Sequence, residues 1–201
     1  MAPVSNLDLT PRVVYGPSGV GKGTIINAAR SAYPNIIGHS VSHTTRQPRP
    51  GEEDGYHYHF VDEETFKKLI SEGAFIEHAI FNNTRYGTSF AAVKAVQDQG
   101  KLCILDIEIE GVKQVRVHPD FTAKFLYLAP PSREELRSRL TGRGTENEKQ
   151  IANRLKQAEV EMEYAEAEGA NDERIVNDDL EKAKDQFREW LGLSLPEEKQ
   201  E

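Results

Sequence analysis

An α/β fold, in which a central parallel sheet lies between layers of helices, is predicted by three features of the 201-residue chain. Four short apolar runs are each followed by helix-starting chemistry. The first run ends in a turn rich in glycine, and two stretches of different character interrupt the alternation. Strands buried on both faces read as continuous apolar runs, and their regular alternation with helices marks a parallel sheet. The four runs are "RVVY" (Arg12–Tyr15), "KLCILDI" (Lys101–Ile107), "AKFLYLA" (Ala123–Ala129) and "RIVN" (Arg174–Asn177).

The first run stops at Gly16 and passes through "GPSGVGKGT" into a helical pattern. The pattern G-x-x-x-x-G-K-[ST] wraps nucleotide phosphates, and Gly16, Gly21 and Lys22 fit it. Consecutive backbone N–H groups form an anion-binding concavity, and the next helix adds its positive end. The loop of Gly16, Pro17, Ser18, Gly19, Val20, Gly21, Lys22, Gly23 and Thr24 is therefore expected to hold the phosphates of a nucleotide, with Lys22 as a point charge on them. Gly23 stands where a magnesium-binding hydroxyl is usual. Mg²⁺ keeps several waters and leans on substrate phosphates, so the substitution is tolerable, and Thr24 can still reach a phosphate oxygen. A carboxylate at a strand's C-terminal end is then expected to anchor those waters; "CILD" puts Asp106 there, with Glu108 nearby.

From Ile37 to Tyr86 the text is polar and strand-like, with a short helix at "DEETFKKLISEG" capped by Asp62 and ended by Gly73. It reads as an inserted lobe of about 37–90 with its own small mixed sheet. Within it Arg46 and Arg49 lie three apart among prolines. Two guanidinium forks with the phenols of Tyr58 and Tyr86 suit a phosphate monoester, although a solvated arginine pair is the alternative the spacing leaves open. Glu77, in "FIEHA", could accept both N1–H and the 2-amino group of guanine, with Ser42 and Thr88 donating to O6. Adenine offers no such paired donors, and unmatched buried polar groups reject it. A lone solvated Glu is the plainer reading of that position.

The second run leads into "EIEGVKQV" and the third into "PPSREELRSRL", where Ser132 and Glu135 form a capping box. A second interruption, about 132–169, is strongly helical, with another box at Thr145 and Glu148. Between Arg133 and Lys156 seven basic residues stand against four acidic ones, a reversal of sign within a chain of net charge −8. After the fourth run Asn177 and Asp178 are expected to cap a closing helix, with Leu180, Ala183, Phe187 and Leu191 as its buried stripe. The core is thus expected over about 10–36, 91–131 and 170–195.

Net charge −8 excludes a broad basic face for nucleic acid, so any anion site must be a local pocket. The single cysteine, Cys103, allows no internal disulfide and sits in an apolar run, as a buried thiol does. The first residues lack a basic and apolar leader, and no run approaches about 18 apolar residues. A soluble, cytoplasmic, monomeric protein without a membrane partner is expected.

Taken together, "GPSGVGKGT", "VSHTTRQPRPGEEDGYHYHF", "FIEHA", "RYGTS", "CILDIEIEGVKQV", "LAPPS", "GRGTE" and "IVNDD" resemble the guanylate kinase family in order and spacing, from about Val13 to Trp190. The resemblance implies the P-loop nucleoside monophosphate kinase fold, with a β-rich GMP-binding lobe and a helical lid. It implies transfer of the γ-phosphoryl group from ATP to GMP with Mg²⁺, and dGMP is a further expected acceptor because no residue identifiable in the sequence reads the sugar. GMP binding is carried over to Ser42, Arg46, Arg49, Tyr58, Glu77, Tyr86, Gly87, Thr88 and Asp106, and ATP phosphate binding to the Gly16–Thr24 loop. Arg139, Arg143 and Arg154 would cover the transferred group, making them, with Lys22, Arg46 and Arg49, the catalytic set. Arg85 has no role implied. Silent modules of the same fold that bind phosphorylated peptides typically lack the loop's lysine and glycines, which are present here. The N-K-x-D motif of GTPases is absent.

Overall fold

The computed structural model describes residues 7–81, 83–141 and 148–194. In chain order these form β1 (Arg12–Tyr15), α1 (Lys22–Ala32), β2 (Ile37–His39), β3 (His43–Thr44), β4 (His59–Phe60), α2 (Glu63–Ser71), β5 (Phe75–Phe81), β6 (Thr84–Ser89), α3 (Phe90–Gln97), β7 (Leu102–Asp106), α4 (Ile109–Val117), β8 (Lys124–Ala129), α5 (Arg133–Thr141), α6 (Glu148–Ala167), β9 (Glu173–Val176) and α7 (Leu180–Trp190). The strands make a five-stranded sheet, ordered β2-β7-β1-β8-β9, and a four-stranded one, ordered β4-β3-β6-β5. The chain divides into two compact units: one takes in Val14–Pro34 and the chain from Phe125 onward, the other Leu9–Val13 and Asn35–Lys124.

In the first unit β8 and β9 pair in parallel, from Leu126 opposite Glu173 to Ala129 opposite Val176. Tyr15, Leu126, Leu128, Leu136, Leu140 and Phe187 are buried there. Each such side chain contributes roughly 1.5–3 kcal/mol by leaving water. Helix α7 packs on α1 and buries Ala183 and Phe187, with Leu191 just beyond, whereas Leu180 is 39% exposed and outside the stripe the spacing suggested. Its cap also differs from expectation. Asp179, rather than Asn177 or Asp178, accepts from Lys182 N at 2.9 Å, because the Asn177 side chain is taken by Val20 O at 2.7 Å. On α5, Ser132 accepts from Glu135 N at 3.0 Å. The Glu135 carboxylate makes no return bond to the cap and instead accepts from Arg139 Nε at 2.9 Å. Thr145, the other expected cap, lies outside the described residues.

In the second unit β2 pairs with β7 in parallel, Ile37 opposite Leu102. It is a fifth strand of the larger sheet where four were expected. Helix α2 starts as predicted, with Asp62 accepting from Thr65 N at 2.7 Å. Helix α3, not anticipated, is capped by Ser89, which accepts from Ala92 N at 3.1 Å. The smaller sheet is mixed: β3 runs parallel to β4 and antiparallel to β6, and β5 runs antiparallel to β6. Of "GYHYHFV" only His59 and Phe60 are strand, since His57 N donates back to Glu53 O at 3.0 Å and closes a turn. Cys103 is fully buried on β7, and burial pushes its thiol up to about 12. Among the described residues no helix is long and apolar enough to cross a membrane.

Candidate active site

The glycine-rich loop lies in the first unit. Gly16 has φ 144° and a Cβ there would sit 2.2 Å from Leu128 O; Gly21 has φ 105° and would meet Asn177 Nδ2 at 2.6 Å. Both backbone conformation and space demand glycine at these positions. Gly21 is the N-cap of α1, whose first turn carries no acidic side chain. The positive end of the helix and its unpaired N–H groups are thus left for an anion. Lys22 folds back so that Nζ donates to Gly16 O at 2.5 Å. A Cβ on Gly23 would meet nothing within 4 Å, so the missing hydroxyl is not excluded by crowding.

Two arginines converge on this loop. Arg154 on α6 donates from Nη2 to Ser18 Oγ at 2.8 Å. Arg139 on α5 donates from Nη2 to Asn177 O at 3.0 Å. Because the Asn177 amide also donates to Val20 O, the end of β9 links the loop to α5. A cleft of about 360 Å³ opens beside it, lined by Val20, Gly21, Thr24, Arg139, Asn177 and Leu180. Arg143 lies outside the described residues.

The proline-flanked arginines lie in the second unit. Arg46 Nη2 donates to Glu52 Oε1 at 2.8 Å and Nη1 to Gln47 O at 2.8 Å. Its guanidinium lies 5.3 Å from the Tyr58 ring centroid and 5.7 Å from that of Phe60. Arg49 N donates to the other Glu52 oxygen at 2.7 Å, while its side chain is exposed. The Arg46 hydrogen bond, with the Arg49 N–H, holds the Glu52 carboxyl down at about 2. Tyr58 and Tyr86 are 6.0 Å apart between ring centroids. Burial raises the Tyr58 phenol, and Tyr86, Glu52 and the Asp106 carboxylate add to the effect while Arg46 opposes it. Asp106, exposed at the end of β7, therefore belongs to the same electrostatic neighbourhood.

Glu77 on β5 stands opposite Thr88 on β6. Continuing the β3–β6 register, in which His43 faces Gly87, brings Ser42 into the same row. Glu77 is only 6% exposed. Burial pushes its carboxyl up to about 7, with Thr88 offsetting this only in part and no cation among the causes. Thr88 Oγ1 is buried outside hydrogen-bonding geometry to any described residue. Arg85 is instead structural: Nε pairs with Glu63 at 2.6 Å, and its backbone bonds Thr45 N and Oγ1.

The guanylate kinase family model matches residues 8–192. The chain belongs to the guanylate kinase family. It is 51% identical over 177 residues to guanylate kinase of Schizosaccharomyces pombe, covering 88% of this chain and 87% of that one. Against guanylate kinase 1 of Oryza sativa subsp. japonica it is 48% identical over 183 residues, 91% of this chain but 48% of the longer plant protein. The crystal structure of guanylate kinase from Anaplasma phagocytophilum superposes with a TM-score of 0.65 at 32% identity, covering 92% of this chain and 87% of that one. As a guanylate kinase family member the chain is a nucleoside monophosphate kinase.

Within that family frame, sequence reading overlooked Glu52, the carboxylate that orients Arg46. Its place three residues after Arg49 was the available signal. No comparable local signal marks the amide of Asn177 as the partner of Val20, since their link spans the chain from residue 20 to residue 177.

Proposed function

We propose that the chain transfers the γ-phosphoryl group of ATP to GMP, and to dGMP, through the residues described above. The observation carrying this reading is Glu77, a carboxyl 6% exposed that stands opposite the buried Thr88 on the neighbouring strand and has no cation to neutralise it. Two adjacent donors on a ligand would repair the carboxylate, and guanine presents N1–H and its 2-amino group side by side. Ser42 and Thr88 complete the base edge. Arg46, Arg49, Tyr58 and Tyr86 hold the GMP phosphate, with Gly87 and Asp106 beside it.

Phosphoryl transfer asks for positioning and charge neutralisation rather than covalent help. The acceptor phosphate is largely dianionic at pH 7 and needs no general base. The Gly16–Thr24 loop binds the ATP phosphates and Lys22 neutralises them. Arg139, Arg143 and Arg154 cover the charge that develops on the transferred group. Asn177, Asp178 and the cleft beside them receive adenine. Mg²⁺ fits this chain without a protein cage: among the described residues no cluster of three or more His, Cys, Asp or Glu could hold it, and it commonly binds through phosphates and water. Asp106 is the carboxylate that would hold it through water, and the ion would supply charge neutralisation. Residues 37–90, apart from β2 in the larger sheet, act as the GMP lobe and 132–169 as the lid. A net charge of −8 supports a protein that binds small nucleotides rather than nucleic acid; a cytoplasmic monomer with no membrane partner completes the reading.

The test is a coupled assay of ADP release from ATP and Mg²⁺ with GMP, dGMP, AMP, CMP and UMP side by side. GMP and dGMP are expected to be turned over, with AMP disfavoured by several orders of magnitude in kcat/KM. Similar kcat/KM for GMP and AMP would sink the base-recognition argument.

A further inference from the structure

Helix α4 makes two contacts with β5 that the reaction as described does not use. The first is at Gly111, where a Cβ would come within 2.5 Å of Glu77 Oε2 and 3.1 Å of its carboxyl carbon. The base-facing carboxylate therefore rests against bare helix backbone, in space that any larger residue would occupy. The second is at Gln114, one helical turn further on and so on the same face. Its amide accepts from His78 N at 3.0 Å and donates to His78 O at 2.7 Å, the residue next to Glu77. The same nitrogen donates to Glu110 O at 3.0 Å.

Strand β5 is an edge of its sheet. An edge strand presents N–H and C=O groups that a neighbouring strand would pair. The Gln114 amide supplies that donor–acceptor pair at His78, and does so just past an irregularity in the β5–β6 register between Phe75 and Glu77. Such an irregularity re-aims a side chain and relaxes the ladder that would otherwise fix it. Thr88 of β6 holds the Glu77 carboxyl within the sheet, and α4 adds a second constraint.

We propose that Gly111 and Gln114 are positioning residues: α4 forms the wall that fixes the Glu77 carboxylate, and thereby sets the preference for a purine monophosphate bearing a 2-amino group. The proposal rests on the reading of Glu77 as the acceptor for guanine, and its test separates the two. Steady-state kinetics are measured for Gly111→Ala, Gln114→Met and Glu77→Gln with GMP and with inosine monophosphate, which lacks the 2-amino group, each with ATP titrated as well. Alanine is a better helix former than glycine, so Gly111→Ala does not weaken α4 itself. Its Cβ meets the flexible end of Glu77 rather than backbone. Gln114→Met keeps the side chain's length and removes both bonds to His78.

For both α4 variants the GMP-to-inosine monophosphate ratio of kcat/KM is expected to fall about tenfold, the value of one charged hydrogen bond, while KM for ATP stays within about twofold. A collapsed ratio in Glu77→Gln with normal ratios in both α4 variants would overturn the inference and leave Glu77 as the reader of guanine. A normal ratio in Glu77→Gln would overturn both. Parallel losses for GMP, inosine monophosphate and ATP would reduce the effect to general damage and also overturn it.

Discussion

At Glu77 a carboxyl that would titrate at 4.5 in solvent is held at about 7 by burial. The direction fixes two consequences. The folded chain binds this proton more tightly than the unfolded chain, so the group's stabilising contribution is complete below about 4.5. It is lost as pH rises through about 7, and more alkaline solution leaves an ionised group in a poor solvent. On the proposed reading, by contrast, guanine requires the ionised form. KM for GMP is therefore expected to rise as pH is lowered from 8 to 6, while KM for ATP does not follow it; steady-state kinetics across that range would expose a flat GMP profile as contrary evidence. The same reasoning gives Glu77→Gln a higher melting temperature than the parent at pH 8 without ligand, with the gap closing near pH 5. That pattern would place a residue's function in opposition to its stability.

The Asn177 link shows the same physics between elements. Its buried amide satisfies Val20 O, and its own carbonyl accepts from Arg139, so the end of β9 positions both the loop before α1 and a side chain of α5. Asn177→Ala leaves a buried carbonyl unpaired, a loss of roughly 1–3 kcal/mol in denaturant unfolding, and is expected to raise KM for ATP. Unchanged values of both would mean that the link is idle. Elements like these differ in how far the chain announces them. β1, β7 and β8 were legible because burial on both faces demands unbroken apolar runs, whereas β9, read in the same way, is an edge strand that buries only Ile175. β2 reads as strand-like but as part of the lobe's sheet, since its three residues "IGH" carry no period that tells which sheet they join. The cap of α7 was misplaced by up to two positions because Asn177 was drawn away by a residue far along the chain. The site divides similarly. On the proposed reading, the glycine turn and the arginine pair declare their chemistry within a few letters, whereas Glu52, Gly111, Gln114 and Asn177 would act through what they touch after folding.

Across the whole molecule the division into two units assigns the phosphate loop to one and the arginine pair, with Glu77, to the other. Amide exchange should report this directly. ATP alone is expected to slow exchange over residues 16–24 and 177–180, and GMP alone over 42–60 and 75–89, since a ligand stabilises the segments it contacts. Uniform protection by either nucleotide would contradict the assignment of residues to nucleotides. Cys103 suits the chain to such measurements in another way. It is the only thiol in the sequence, wholly enclosed and with its ionisation pushed up to about 12, so maleimide reagents at neutral pH find almost no thiolate on the native chain. A cysteine introduced at any exposed position would then take a fluorophore alone, and the protein could be tagged at chosen points without first removing a sulfur of its own.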